Sequence, residues 1–232
     1  MVQAQAPATI LTVIFQRLLA CYGPQHWWPA GSPFEVIVGA ILTQSTAWTN
    51  VEKAVIKLKK AEALNPDSIL NLPPEALAGM IYSCGYYNVK TKKLKACAEW
   101  LKRRFEGDLE LMSRQDPGLL RQELLAVYGI GEETADSILL YAAGKPVFVI
   151  DAYTRRIVDR LGLPVEGRRY ADYQKLFMHN LPQETALFNE YHALLVVLAK
   201  NCCLKNYPAC LRCCLLDVCR EGSGLPAKLS SE

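Results

Sequence analysis

Apolar residues recur at three- and four-residue intervals along most of the chain, the spacing that gathers them on one face of an α-helix. It predicts helices over 10–20, 34–42, 51–58, 74–81, 90–105, 117–127, 134–143, 152–161, 170–181 and 184–200. Breakers stand between these stretches: Gly23-Pro24, Pro29 to Pro33, Pro73-Pro74, Gly107, Gly129-Ile130-Gly131, Gly144 to Pro146 and Gly162 to Pro164. One run, Pro146-Val147-Phe148-Val149-Ile150, has strand character, but it is short and isolated, so a buried connector is expected. The expected fold class is all-α.

Composition adds limits. With 232 residues, 51% of them apolar and 21% charged, the chain can bury a sizeable core, as one large domain or as two small ones. Apolar runs such as 193–199 are too short to span a bilayer, and the start of the chain lacks the basic and apolar regions of an export signal, so no membrane partner and a cytosolic protein are expected. A net charge of +3 does not by itself announce nucleic acid, and any such footprint must be local. Lys57, Lys59 and Lys60, then Lys90, Lys92, Lys93 and Lys95, then Lys102, Arg103 and Arg104 form basic clusters. Each suits a solvated helix face or a phosphate track.

Six of the nine cysteines fall between Cys202 and Cys219. Without an export signal, such clustering points to a metal site rather than to disulfides. Cys203, Cys210, Cys213 and Cys219 stand in a C-x6-C-x2-C-x5-C pattern, and four thiolates suit tetrahedral zinc or an iron-sulfur cluster. Zinc ribbons use two short knuckles, whereas this loop has one and follows a long apolar helix, which favours the cluster. Cys202 and Cys214 read as spectators beside the ligands.

A second signal is Leu125-Ala126-Val127-Tyr128-Gly129-Ile130-Gly131-Glu132-Glu133-Thr134-Ala135. Two glycines flanking one apolar residue permit a tight turn whose backbone N–H groups can face a phosphate, and the same pattern would also serve a plain helix-helix turn. Asp151 follows 18 residues beyond Glu133, after the apolar connector and at the start of a helix, a place that suits an N-cap, a functional carboxylate, or both.

Together these segments resemble the helix-hairpin-helix DNA glycosylases, and the cysteine spacing is similar to that of endonuclease III and its relatives, where it holds a 4Fe-4S cluster. The resemblance implies that Cys203, Cys210, Cys213 and Cys219 ligate such a cluster, that Gly129, Ile130 and Gly131 grip a DNA strand, and that Asp151 is the catalytic carboxylate. Positive charge builds on the sugar as a glycosidic bond breaks, and a fixed carboxylate stabilises it while orienting or deprotonating water. Bifunctional relatives carry a Schiff-base lysine where this chain has Glu133, which implies a monofunctional enzyme that leaves an abasic site. Leu42-Thr43-Gln44-Ser45-Thr46 and Gly85-Tyr86-Tyr87-Asn88-Val89-Lys90 resemble the family's duplex-probing segments, with Gln44 and Tyr86 as void fillers and Asn88 and Lys90 beside them on DNA.

Trp27-Trp28-Pro29, Phe34 to Ala40 and Gly129 to Asp136 are most similar to the 3-methyladenine DNA glycosylases of the MagIII type, in which two aromatic positions sandwich the flipped base. Trp27 or Trp28 and Trp48 stand at the matching places, with Glu133 nearby in the pocket. A methylated purine is cationic, and indole faces attract cations by about 0.5 to 2 kcal/mol. The tryptophans would equally suit core packing, and His26 a surface position. The cysteine loop departs from the MagIII pattern, which leaves open a uracil or thymine mismatch glycosylase on the same frame. A non-catalytic iron-sulfur module that binds DNA or senses redox state, and a bifunctional enzyme with a displaced lysine, are the remaining alternatives.

The resemblance further implies two helical domains flanking a DNA-binding cleft: a six-helix barrel with the hairpin over 25–143, and a cluster domain made of 1–24 plus 144–232. Lys205, Arg212 and Arg220 would reach phosphates from the cysteine loop. The expected partner is double-stranded DNA with a damaged base, bound by a monomer in a bacterial-type, nucleoid-associated cytoplasmic setting.

Overall fold

A computed structural model describes residues 7–222, and among them there are helices and turns but no strand. Backbone contacts divide the chain into two units, one spanning Trp28–Lys145 and the other joining the segment up to Trp27 with the segment from Pro146. No helix of the described residues is long and apolar enough to cross a membrane.

Helix α1 (Pro7–Tyr22) belongs to the split unit and buries Leu11, Ile14 and Leu18 along one stripe. The continuous unit follows with α2 (Pro33–Leu42), α3 (Trp48–Lys60), α4 (Pro66–Asn71), α5 (Pro74–Met80), a 3-10 turn at Tyr82–Cys84, α6 (Tyr87–Phe105), α7 (Leu109–Ser113), α8 (Pro117–Leu125), α9 (Glu132–Ser137) and a π-helix at Ile138–Ala142. The spacing-based expectation finds six of these helices and omits α4 and α7, which are too short to display a period. Their starts are nonetheless written in the chain: Asn65 accepts a hydrogen bond from Ser68 N ahead of Pro66, and Asp108 accepts from Glu110 N and Leu111 N.

Helix α2 is the centre of its unit. Every residue from Phe34 to Leu42 is buried, the pattern of a helix surrounded by others. The charge it buries, Glu35, is met by Lys59 at 2.7 Å and by Gly31 N at 2.9 Å. Helix α6 packs against α4 and α5, and Lys95 on it donates to the carbonyls of Ile69, Leu70 and Leu72, satisfying the acceptors that the end of α4 leaves open.

The split unit resumes with α10 (Ala152–Leu161), α11 (Tyr170–Met178), α12 (Thr185–Asn201) and 3-10 turns at Cys210–Arg212 and Leu216–Val218. Its core is aromatic. Phe148 stacks on Phe177 at 3.9 Å, and Phe188 and Tyr191 meet Phe148 edge-on. The Pro146–Ile150 connector needs no sheet because side chains satisfy its backbone. Ile150 N donates to the Tyr170 hydroxyl at 3.1 Å and Phe148 O accepts from Gln174 Nε2 at 2.8 Å.

Candidate functional site

Helix α8 ends at Leu125, and the chain turns through Val127, Tyr128, Gly129, Ile130 and Gly131 into α9. Ile130 anchors the turn in the core at 5% exposure. Gly129 has φ +81°, and a Cβ there would lie 2.4 Å from Cγ of Lys93, so both backbone and space reserve the position for glycine. Gly131 faces open space, and the first N–H groups of α9 point out of the helix with no acceptor inside it. Such a turn has the polarity and the clearance to take a phosphate oxygen. It is braced from behind: Arg121 donates to both oxygens of the fully buried Asp136, at 2.7 and 3.2 Å, tying α8 to α9.

Gln44, expected to probe a gap in the duplex, is here committed to the hairpin. Its Nε2 donates to Gly129 O at 3.1 Å and to Thr134 Oγ1 at 2.9 Å, while its Oε1 accepts from Lys93 Nζ at 2.5 Å. The end of α2, helix α6 and the hairpin therefore share one polar knot. Lys93 gave no individual signal in the sequence, where it stands as one of several lysines.

Tyr86 caps α6 in the left-handed region, φ 46°, and its side chain is 74% exposed. An aromatic residue held in that conformation on an outer loop is a strained, presented group. Beside it Tyr82 packs against Tyr87 at 4.8 Å, and Asn88 and Val89 are exposed. Lys90 corrects the sequence expectation. It is 2% exposed, its Nζ donates to Leu42 O and Cys84 O, and burial lowers its pKa. It fastens the end of α2 to the Tyr82–Cys84 turn and is not available to DNA.

Among the tryptophans, Trp28 lies across Gly39, where a Cβ would come within 2.9 Å of the indole. Trp48 meets it at 5.2 Å and 79°, and Tyr141, from the π-helix that continues the hairpin, meets it at 5.3 Å and 59°. The indoles touch edge to face, without parallel faces a base-width apart. Tyr141 is an addition the sequence did not signal. Trp27 is half-buried and lies in the other unit's segment, and Glu133 is exposed in the first turn of α9.

In the split unit, Asp151 caps α10. Its Oδ1 accepts from Thr154 N at 2.7 Å, and its side chain keeps 14% exposure. No lysine or arginine among the described residues pairs with it. A titratable neighbour is His192 of α12, whose Nε2 is 3.8 Å from Oδ2. Burial lowers the imidazole pKa, against the opposing pull of Asp151, so the ring is neutral at neutral pH. A single histidine within an apolar helix carries no pattern, and sequence reasoning passed over it. The pair offers a fixed, partly open carboxylate beside a neutral nitrogen base.

In the cysteine loop, Cys203 and Cys213 lie close enough to act on the thiols of Cys210 and Cys219. Burial raises the Cys210 thiol, and Cys219, Cys213 and Cys203 add to the effect; Cys219 is likewise raised by burial and then by Cys213 and Cys203. The thiol of Cys214 donates to Cys213 and brings it down to about 6. Arg160 donates to Cys203 Sγ at 3.3 Å, and Cys202 turns its thiol to Ala209 O. Among the described residues no three or more histidine, cysteine or acidic side chains converge as ligands of a metal ion. Lys205, Arg212 and Arg220 are exposed, and Arg220 also lies along Gly162 and donates to Asp159 O at 3.4 Å.

These features have relatives. The chain is 43% identical over 208 residues to MJ1434 of Methanocaldococcus jannaschii, a candidate DNA repair glycosylase, covering 89% of this chain and 94% of that one. It is 30% identical over 188 residues to endonuclease III of Sulfolobus acidocaldarius, covering 81% of each. In three dimensions it is similar to the H. pylori 3-methyladenine DNA glycosylase MagIII bound to 1,N6-ethenoadenine, with a TM-score of 0.73, 27% identity, and coverage of 84% of this chain and 98% of that one. The family model of the HhH-GPD superfamily matches residues 38–183, hairpin and Asp151 included, and the chain belongs to that superfamily of base excision DNA repair proteins.

Proposed function

We propose that the protein is a monofunctional DNA glycosylase of base excision repair, which extrudes a damaged base from duplex DNA and hydrolyses its bond to deoxyribose. The observation that carries this reading is Asp151: a helix cap fixes one oxygen, the side chain keeps 14% exposure, and no lysine or arginine among the described residues pairs with it. As the base departs with the bonding electrons, the carboxylate stabilises the cationic sugar and takes a proton from the water that attacks C1′. The Gly129–Gly131 turn holds the strand through backbone N–H groups, and Tyr86, exposed on its strained loop, enters the duplex. Glu133 at the place of the Schiff-base lysine supports hydrolysis without strand cleavage, because a carboxylate forms no imine.

The favoured substrate is an alkylated purine such as 3-methyladenine. The aromatic group of Trp28, Trp48 and Tyr141 supports this, since a methylated purine is cationic and is attracted to ring faces. Such a base is also a good leaving group. The partner is double-stranded DNA bound by a monomer in the cytoplasm.

The donor set of the C-terminal loop fits a 4Fe-4S cluster. Cys210 and Cys219 each feel Cys203 and Cys213, and the Arg160 guanidinium on Cys203 would suit an anionic thiolate centre held by Cys203, Cys210, Cys213 and Cys219. When bound, the cluster supplies a cross-link that orders the loop carrying Lys205 and Arg212, since glycosidic hydrolysis itself moves no electrons.

A release assay on methylated and on uracil-containing duplexes tests the assignment. Methylated purines are expected to be released by the wild type and not by Asp151→Asn, which retains DNA binding, and borohydride is expected to trap no covalent adduct. Release of uracil with none of the methylated bases would overturn the substrate, and undiminished release by Asp151→Asn would overturn the reaction.

A further inference from the structure

We propose that His192 is a positioning residue for Asp151, steadying the carboxylate oxygen that the helix cap leaves over. The proposal rests on the role given to Asp151 above. Thr154 N occupies Oδ1 at 2.7 Å, while Oδ2 lies 3.8 Å from His192 Nε2. Helices α10 and α12 pack on each other, so both groups are carried by a rigid pair. The two side chains are 14% and 8% exposed, and the Phe148 ring stands edge-on to the imidazole at 6.5 Å, restricting its swing.

With its proton on Nε2, the neutral ring presents a single donor towards Oδ2. An approach of about 1 Å turns this contact into a hydrogen bond to an anion, which fixes the direction in which the carboxylate's charge acts. A protonated ring would do the opposite. Its positive charge would cancel much of the field that Asp151 applies to the sugar. Burial disfavours that state and outweighs the opposing pull of Asp151. Helix α1, also packed on α12, brings the apolar residues Leu11, Ile14 and Leu18 and no acidic residue, and its Arg17 pairs with Asp217.

The test is single-turnover base release from methylated duplex by the full chain as purified, with DNA affinity measured in parallel. His192→Phe is expected to slow release by about tenfold to a hundredfold with affinity unchanged, as misplacement of a catalytic group does. His192→Gln, which keeps a donor but cannot ionise, is expected to recover most of the rate at neutral pH. It should also lose the decline that the wild type shows below the ordinary imidazole range. A wild-type rate in His192→Phe would overturn the proposal. So would a His192→Gln protein as slow as the Phe variant with the wild-type pH profile, since that is the mark of space-filling alone. Asp151→Asn, run alongside, separates the two levels: its inactivity together with a fully active His192→Phe sinks the positioning role only, and its activity sinks the reading of Asp151 first.

Discussion

Lys90 and Lys92 stand two residues apart on α6, yet one is closed inside the protein with carbonyl partners and the other is open to solvent. Charge in a sequence says nothing about which side of a helix carries it, and an ammonium can be consumed by the ends of neighbouring elements. Lys90→Gln is therefore expected to lower stability by about 1–3 kcal/mol in urea unfolding, through two buried acceptors left without their donor. The slope of DNA affinity against salt should not move, because no phosphate contact is lost. His192 gives the residue scale a pH signature. Its native pKa is depressed by burial, so the unfolded chain takes up a proton that the native state resists. Its contribution to stability is present above the ordinary imidazole value of about 6.5 and is lost as pH falls through that range. Urea unfolding between neutral and mildly acidic pH should show the decline in the wild type and a shallower one in His192→Gln. Asp151 was legible as a candidate because it follows an apolar run and opens a helix, the place that the resemblance gives to a carboxylate. Its neighbour His192 was not, for the approach of α10 to α12 is a tertiary fact that no local spacing encodes.

At the scale of elements, the long helices were legible from apolar spacing, while the starts of several helices carry cap signals that the spacing does not use. Ser32-Pro33, Asn65-Pro66 and Asp116-Pro117 each place a capping side chain before a proline that needs no donor. The π-helix at Ile138–Ala142 was not, because its apolar positions read equally well as an ordinary turn of helix. It matters, since it carries Tyr141 to Trp28 at the far end of the element that begins with the hairpin. The hairpin's rigidity has two sources. One is the Arg121–Asp136 pair, where Asp136→Asn is expected to cost about 3 kcal/mol by leaving a poorly matched guanidinium over a buried site, read as a lower urea midpoint with an unchanged slope. The other is Gly129, where alanine meets both a positive φ and the stem of Lys93. Gly129→Ala is expected to cost about 1–3 kcal/mol and, under the proposed role of the turn in holding backbone and not base, to weaken binding to undamaged duplex as well as to damaged.

At the scale of the molecule, the cysteine spacing raised the expectation of a metal, while the packing around the loop, such as Arg160 on Cys203, came only with the fold. Cys213→Ala is expected to yield protein without iron or labile sulfide and with a C-terminal segment open to proteolysis; iron content and limited digestion check this. The two-unit division carries one more implication. Helix α1 and helix α12 are joined by the Tyr191 hydroxyl on Leu11 O and by Phe15 against Tyr191, yet more than a hundred residues of chain separate them. On a ribosome, the interposed unit from Trp28 to Lys145 is finished while α1 still waits for the partner that will cover Leu11, Ile14 and Leu18. A segment made before the interposed unit is thus covered only after that unit is complete, and during synthesis its greasy stripe stays open to a chaperone.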